Sequence, residues 1–334
     1  MTGMRVEPSR WLSAGLVLAA VTPFVGGTAF AQSDAAAGYP KQPVKIVVGF
    51  SPGGSNDLLA RLLAQKLAER LGQPFVVENK PGANAIIAAE HVMRATPDGY
   101  TLLMAPAGTL VINPSVYAKL PYDALKSFEF VSNAATYPFV LSVGASHPAK
   151  SVAELVAWGK ANPDKANYSS SSAIFQLASE LFNLKTGTKF VHIPFKSGGE
   201  NVTAVITGQV AMVFADTGPL MPQVKSGRIR PLATSGAKRL AELPEVPTMA
   251  EAGVEGVVVD GFSGIVAPKG TPAPIVGKLE SELIAIIKLP DMRERLSQIG
   301  LIPAGETSAE FAARVAREIP MWTAVAKAAN IKLE

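Results

Sequence analysis

Two hydrophobic periods alternate along this chain. Val44 to Phe50 is an apolar run of strand length, ended by Ser51-Pro52-Gly53-Gly54-Ser55. Leucines then recur at Leu58, Leu59, Leu62, Leu63, Leu67 and Leu71, the spacing of a helix with one buried face. Ser55 or Asn56 offers an N-cap and Gly72 a left-handed stop. A strand over 75–78 follows, then a turn at Pro81-Gly82, a helix over about 85–94, a turn at Pro97-Asp98-Gly99 and a strand over 100–104. Strands separated by helices predict an α/β fold with mostly parallel sheets flanked by helices, since a parallel pair needs a long crossover.

The same grammar returns further on. Ser151-Val152-Ala153-Glu154 and Ser197-Gly198-Gly199-Glu200 have capping-box spacing and predict two helix starts. Tyr168 to Ser170, Phe190 to Pro194, Val210 to Phe214 and Ile229 to Thr234 read as buried strands of a second α/β unit. The strand Phe262 to Ala267 returns to the first unit, Thr271-Pro272 opens a long helix, and Thr307 with Glu310 caps a terminal helical segment running to Lys327. Two α/β units joined by more than one crossing segment make a hinge, with a ligand cleft between them.

Residues 1–31 read as an export signal. Arg5 and Arg10 precede an apolar run from Trp11 to Val21, and Ala29-Phe30-Ala31 supplies the small-x-small site, which places cleavage after Ala31. Thr22, Pro23, Gly26 and Gly27 break the run before it reaches the ~20 apolar residues that span a bilayer. The chain has no cysteine, so it carries neither disulfides nor a lipidated N-terminus, and a free periplasmic protein is the simplest expectation. A formal charge of +4 scattered among acids leaves no basic stripe for nucleic acid.

The loop from Phe50 through Ser51, Pro52, Gly53 and Gly54 sits between a buried strand and a helix start. Glycines there admit a ligand to backbone N–H groups, and the helix dipole favours an anion: a cradle for carboxylate or phosphate. Neither phosphate-loop spacing, Gly-x-x-x-x-Gly-Lys-Ser/Thr or Gly-x-Gly-x-x-Gly, is present. Asp57 complements the helix dipole, or binds a ligand ammonium or hydroxyl. Gly49-Phe50-Ser51-Pro52-Gly53 matches the nucleophile elbow of serine hydrolases, but the residue after that serine must donate its N–H to the oxyanion and Pro52 has none. No histidine pairs with Ser51 by spacing, so no catalytic residue is assigned and no enzyme is expected. Three scattered histidines without cysteine give no metal site and no cofactor is called for; His192 reads as a partly buried strand residue with a hydrogen-bond role. Ser169 and the run Ser170, Ser171 and Ser172 precede an apolar helix over 174–184, where four hydroxyls exceed what one cap requires and point to binding.

Taken in order, Tyr39-Pro40, Pro52-Gly53-Gly54 with Asp57 and Ala60-Arg61, Val76 to Ala83, Pro97-Asp98-Gly99-Tyr100-Thr101, Leu120-Pro121-Tyr122, His192 to Lys196, Gly208-Gln209-Val210 and Pro244 to Thr248 with Glu251-Ala252-Gly253 resemble the substrate-binding receptors of tripartite tricarboxylate transporters, the Bug-type family. The resemblance covers the whole chain after residue 31. It implies a two-lobed periplasmic binding protein of the type II, Venus-flytrap kind, with 38–138 plus 261–334 as one lobe and 139–260 as the other. Such a receptor binds a small organic carboxylate without chemistry and serves the membrane subunits of a transporter; nothing in the sequence argues for an oligomer, so a monomer is expected. By resemblance the loop Phe50 to Gly54 holds the carboxylate, often through water, Asp57 sits where some members bind an amine, and the loops at Ala107 to Thr109, Lys196 to Gly198 and Asp216 to Thr217 close the rim. Departures fall at Asn84-Ala85, where relatives commonly have two glycines, and at Ser170 to Ala173, with Gln176 in a histidine's place. A sensor presenting its ligand to a receptor kinase uses the same residues and stays open as an alternative.

Overall fold

The computed structural model describes residues 1–5, 37–195 and 197–332. The expected export signal therefore lies almost entirely outside the described residues, as does Lys196.

Among the described residues, eleven strands form two sheets. The first is six-stranded: β1 (Val44–Val48), β2 (Phe75–Asn79), β3 (Thr101–Pro106), β4 (Phe128–Pro138), β10 (Asp260–Pro268) and β11 (Ile302–Glu306), in the order β11-β4-β10-β3-β1-β2. The second is five-stranded: β5 (Val140–Gly144), β6 (Asn167–Ser170), β7 (Val191–Pro194), β8 (Met212–Ala215) and β9 (Ile229–Thr234), in the order β7-β6-β8-β5-β9. Each sheet is mixed, which corrects the expectation of mostly parallel strands. The β1–β2, β1–β3, β6–β7 and β6–β8 pairs are parallel, as their helical crossovers require, whereas β4, β5 and β10 pair antiparallel with their neighbours. The cause is topological. β4 ends at Pro138 and β5 begins at Val140, so one extended stretch passes from the first sheet to the second, and β10 brings the chain back.

Helices cover both sheets. α1 (Ser55–Leu71) buries Leu59, Leu63 and Leu67 on one face, each contributing about 2 kcal/mol by removal from water, and stops at Gly72 in the left-handed conformation (φ 72°). α2 is Ile86–Met93, and a π-helical turn over Gly108–Ile112 leads into the four-residue α3 (Asn113–Val116). α4 (Val152–Ala161), α5 (Ala173–Thr186), α6 (Gly198–Ile206) and α7 (Thr217–Lys225) flank the second sheet. α8 (Ala273–Ile287), α9 (Pro290–Gln298) and α10 (Ser308–Ala328) close the chain over the first.

The anticipated caps form where their chemistry allows. Ser151, Ser197 and Thr307 accept from the backbone N–H of Glu154, Glu200 and Glu310, and Thr307 with Glu310 completes a reciprocal capping box. One buried cluster runs continuously from Val47 and Leu103 through Phe139 to Phe182 and Phe214, with Phe311 and Trp322 of α10 packed into it. Phe139, fully buried between β4 and β5, lies at the crossing point.

Candidate functional site

A cavity of about 300 Å³ opens where the two sheets face one another. The first-sheet side contributes Phe50, Gly54, Asn56, Asn84 and Asn113, with Ile299, Gly300 and Leu301 from the turn after α9. Tyr137, near the end of β4, lines it at the crossing. From the second-sheet side come Ser172 to Phe175 at the start of α5 and Asp216 to Gly218 at the start of α7.

Three helices therefore begin at this cavity. The N-cap residues of α1, α5 and α7 are Gly54, Ser172 and Asp216, all three line it, and none makes a side-chain capping bond. Their first-turn N–H groups are left for another acceptor. This corrects the expected cap by Ser55 or Asn56: Ser55 begins the helix itself, and the Asn56 side chain accepts from Ser263 Oγ at 2.5 Å instead. Of the helices that begin elsewhere, α4, α6 and α10 carry side-chain caps, whereas α2, α8 and α9 do not.

The Phe50 to Gly54 loop is held from behind. Asp57, 2% exposed, accepts from Gly53 N at 2.9 Å, from Arg61 at 3.0 Å through both carboxylate oxygens, and from Asn79 Nδ2 at 2.9 Å. Asn79 Nδ2 also donates to Phe50 O at 3.0 Å. Burial alone would raise the Asp57 carboxyl, but the hydrogen bonds from Arg61, Gly53 and Asn79 outweigh it and hold the group below its ordinary value. Its lone pairs are committed to this brace and it does not line the cavity, so the structure gives it a different part from the ligand contact considered for it. Ser51 to Gly54 are exposed, Gly53 takes φ +87°, and a Cβ on Gly53 would meet nothing within 4 Å.

The rim beside Asn84 is strained. Ala83, Asn84 and Ala85 have φ of 45°, 51° and 66°, a left-handed run that L residues seldom adopt. Asn113 Nδ2 donates to Asn84 O at 2.9 Å and Asn84 Nδ2 to the Tyr117 hydroxyl at 2.7 Å, which fixes the asparagine at the cavity edge.

Of the residues singled out from sequence, Phe50, Gly54, Ser172, Asp216 and Thr217 line the cavity. Ala107 and Thr109 are buried behind it, and Gly108 between them reaches it. Ser170 Oγ is 2.7 Å from His192 Nε2, and Ser171 Oγ accepts from Asn201 Nδ2 at 2.9 Å, so these two serines serve internal bonds. Tyr168 stacks on His192 at 5.2 Å, which matches the strand role read for that histidine. Among the described residues no histidine bonds Ser51. Burial raises the Asp216 carboxyl, partly offset by its own backbone N–H. Burial likewise pushes the Tyr137 hydroxyl up to about 12, so it stays neutral.

Sequence reasoning missed Asn56, Asn113, Tyr137, Ile174, Phe175 and Ile299 to Leu301. A buried asparagine after the apolar run Leu110-Val111-Ile112 was a signal for Asn113; the others carry none, because they reach the cavity through packing between distant segments.

Residues 59–331 match the model of the family described as tripartite tricarboxylate transporter family receptor. Among curated relatives, a UPF0065 protein in the gbd 5' region of Cupriavidus necator is 37% identical over 310 residues, covering 92% of this chain and 94% of its own. Protein BugT of Bordetella pertussis is 32% identical, over 95% of this chain and 98% of its own. Among solved structures, Rpa4515 of R. palustris with adipate superposes at a TM-score of 0.78 with 35% identity, covering 88% of this chain and 99% of that one. MatC of Rhodopseudomonas palustris with bound malate gives 0.74 with 30% identity, over 86% and 99%.

Proposed function

The chain belongs to the tripartite tricarboxylate transporter receptor family, of Bug type, and on that premise we propose that it captures a small organic carboxylate between two lobes and delivers it to the membrane subunits of such a transporter. The lobes are 38–138 plus 261–334, built on the first sheet, and 139–260, built on the second. Residues 1–31 direct the protein to the periplasm and are then removed, and the mature receptor acts as a monomer without catalysis.

The observation that carries this reading is the convergence of three uncapped helix starts, at Gly54, Ser172 and Asp216, on one cavity between the sheets. Free N–H groups at a helix N-terminus, with the dipole behind them, bind carboxylate without a cationic side chain. The adipate and malate bound by the two solved neighbours are carboxylates, which supports the same ligand class here. Ligand docks on the Phe50 to Gly54 loop, braced by Asp57, and the second lobe closes through movement near Phe139 and Asp260.

Gly54 gives a clean test. Its backbone (φ −77°, ψ 164°) suits any residue, and a Cβ there meets only Ser51 O, at 3.8 Å. Gly54→Leu should therefore fold normally while filling the cradle. Isothermal titration of the exported protein against aliphatic, aromatic and amino-acid carboxylates is expected to give binding that this variant abolishes at an unchanged melting temperature. Failure of every carboxylate to bind overturns the reading.

A further inference from the structure

We propose that Ser235 pins together the two segments that cross between the sheets, so that the lobes turn about one shared axis instead of bending at each crossing separately. The inference rests on the two-lobe reading and adds the positioning residue that couples its two connections.

The crossings leave the first sheet side by side. Pro138, the last residue of β4, stands opposite Asp260, the first of β10. Proline has no N–H to give that ladder, so the pairing lacks a donor where the segments part from the sheet. One residue further along, at Phe139 and Val259, both segments are received by Ser235, which directly follows β9. Its N–H donates to Phe139 O at 2.8 Å, and its carbonyl accepts from Val259 N at 2.9 Å. The side chain repeats the link in both directions: Oγ accepts from Phe139 N at 2.9 Å and donates to Val259 O. One serine thus bonds the N–H and the C=O of both crossing residues.

A plain extension of β9 would need no hydroxyl. Here the hydroxyl spends its one hydrogen on one segment and a lone pair on the other, which a single small polar side chain can do only where both backbones pass within reach. Ser235 and Phe139 are fully buried and Val259 is 1% exposed, so water does not stand in for these bonds. The next residue is fitted against both crossings as well: a Cβ on Gly236 would lie 3.0 Å from Pro138 Cβ and 3.3 Å from Asp260 Oδ1.

Ser235 does not line the cavity, so it acts on a ligand only through the placement of the lobes. Two connections that bend independently let the lobes twist as well as close, whereas a tie between them leaves closing as the main motion. Lobes freed to twist lose more conformational freedom when a ligand fixes them.

The chain has no cysteine, so one labelled pair can be introduced without background. Lys225→Cys on α7 and Glu294→Cys on α9 place spin labels at exposed positions on the two sides of the groove outside the cavity. Pulsed electron resonance on the ligand-free exported protein then reads the distribution of distances between the lobes. Adding Ser235→Ala is expected to broaden that distribution about twofold. An unchanged width in a variant that circular dichroism shows to be folded overturns the inference. The comparison needs no ligand, so it stands or falls apart from the titrations that test the receptor. A second measurement uses the wild-type protein and does not depend on the variant folding. By nuclear magnetic resonance, the amides of Phe139, Ser235 and Val259 are expected to open to hydrogen exchange as one unit, with protection factors within about threefold of one another. A wider spread overturns the coupling.

Discussion

Thr217 and Gly300 meet across the cleft: the threonine hydroxyl donates to the glycine carbonyl at 3.4 Å, and a Cβ built on Gly300 would fall 2.2 Å from that hydroxyl oxygen. Beside them Ser297 Oγ donates to Glu242 Oε1 at 3.0 Å. Thr217 opens α7 on the second sheet, whereas Ser297 and Gly300 belong to the end of α9 and the turn after it on the first. The absence of a side chain at residue 300 is what lets the two sides approach this closely.

Gly300→Val should hold the sides apart. Ligand affinity is expected to fall about tenfold or more, and the left-handed backbone of Gly300 (φ +74°) adds a stability cost of about 1–2 kcal/mol. Small-angle scattering with saturating ligand should then give a larger radius of gyration than the wild type. Wild-type affinity in this variant would show that the contact is not needed for closure.

Asp57→Ala removes a buried acceptor from Gly53 N, Arg61 and Asn79. Hydrogen bonds to a charged group are worth about 1.5–3 kcal/mol, so urea unfolding should register a loss of that order. Ligand affinity should drop as well, although the residue does not line the cavity, because the Phe50 to Gly54 loop loses its support. Full affinity with lowered stability would assign Asp57 to the fold alone.

Gly49 and Ala85 form a coupled pair. A Cβ on Gly49 would lie 2.2 Å from the Ala85 Cβ and 2.8 Å from its Cα, and Ala85 itself is held at φ 66°. Gly49→Ala is expected to cost about 1–3 kcal/mol by overpacking. Ala85→Gly should recover part of this by removing the struck Cβ and relaxing the left-handed strain. A double-mutant cycle by chemical denaturation that gave strictly additive effects would refute the coupling.

Asp260 begins β10 opposite Pro138, at the crossing between the sheets, and its Oδ1 is buried without a hydrogen-bond partner. Burial raises its pKa from 3.8 to about 6, offset in part by Arg314 and reinforced by Glu318. Between those values the folded chain keeps a proton that the unfolded chain has released. Its contribution to stability is therefore present below pH 4 and lost as the pH rises through 6. Asp260→Asn should gain on the wild type across that window, by up to about 3 kcal/mol at pH 7. Denaturation midpoints of both proteins from pH 4 to 8 measure it, and parallel profiles would contradict it.

Much of this molecule is readable along the chain because its signals are local. The leucine spacing of α1, the left-handed stop at Gly72 and the serine and threonine caps of α4, α6 and α10 depend on residues within one or two turns, and the structure contains each of them. The glycines of the Phe50 to Gly54 loop likewise announced an open backbone before a helix. The antiparallel strands were not legible. β4 and β11 pair through residues more than 160 positions apart, and nothing local in either one states its partner.

The sequence by itself determined the elements that carry a clear period or cap, the exposed loop at the start of α1 and the resemblance to a receptor family, since periodicity, capping and motif order are properties of neighbouring residues. Tertiary structure decided which hydroxyls face the cavity: of the serine run only Ser172 lines it, because Ser170 and Ser171 are taken by His192 and Asn201 from other elements. It also turned Asp57 from a possible ligand contact into a brace, and brought Tyr137, Phe175 and Asp216 to one cavity. Long-range packing sets which side of a residue meets water and which meets protein, and that choice depends on partners that lie far off in the chain.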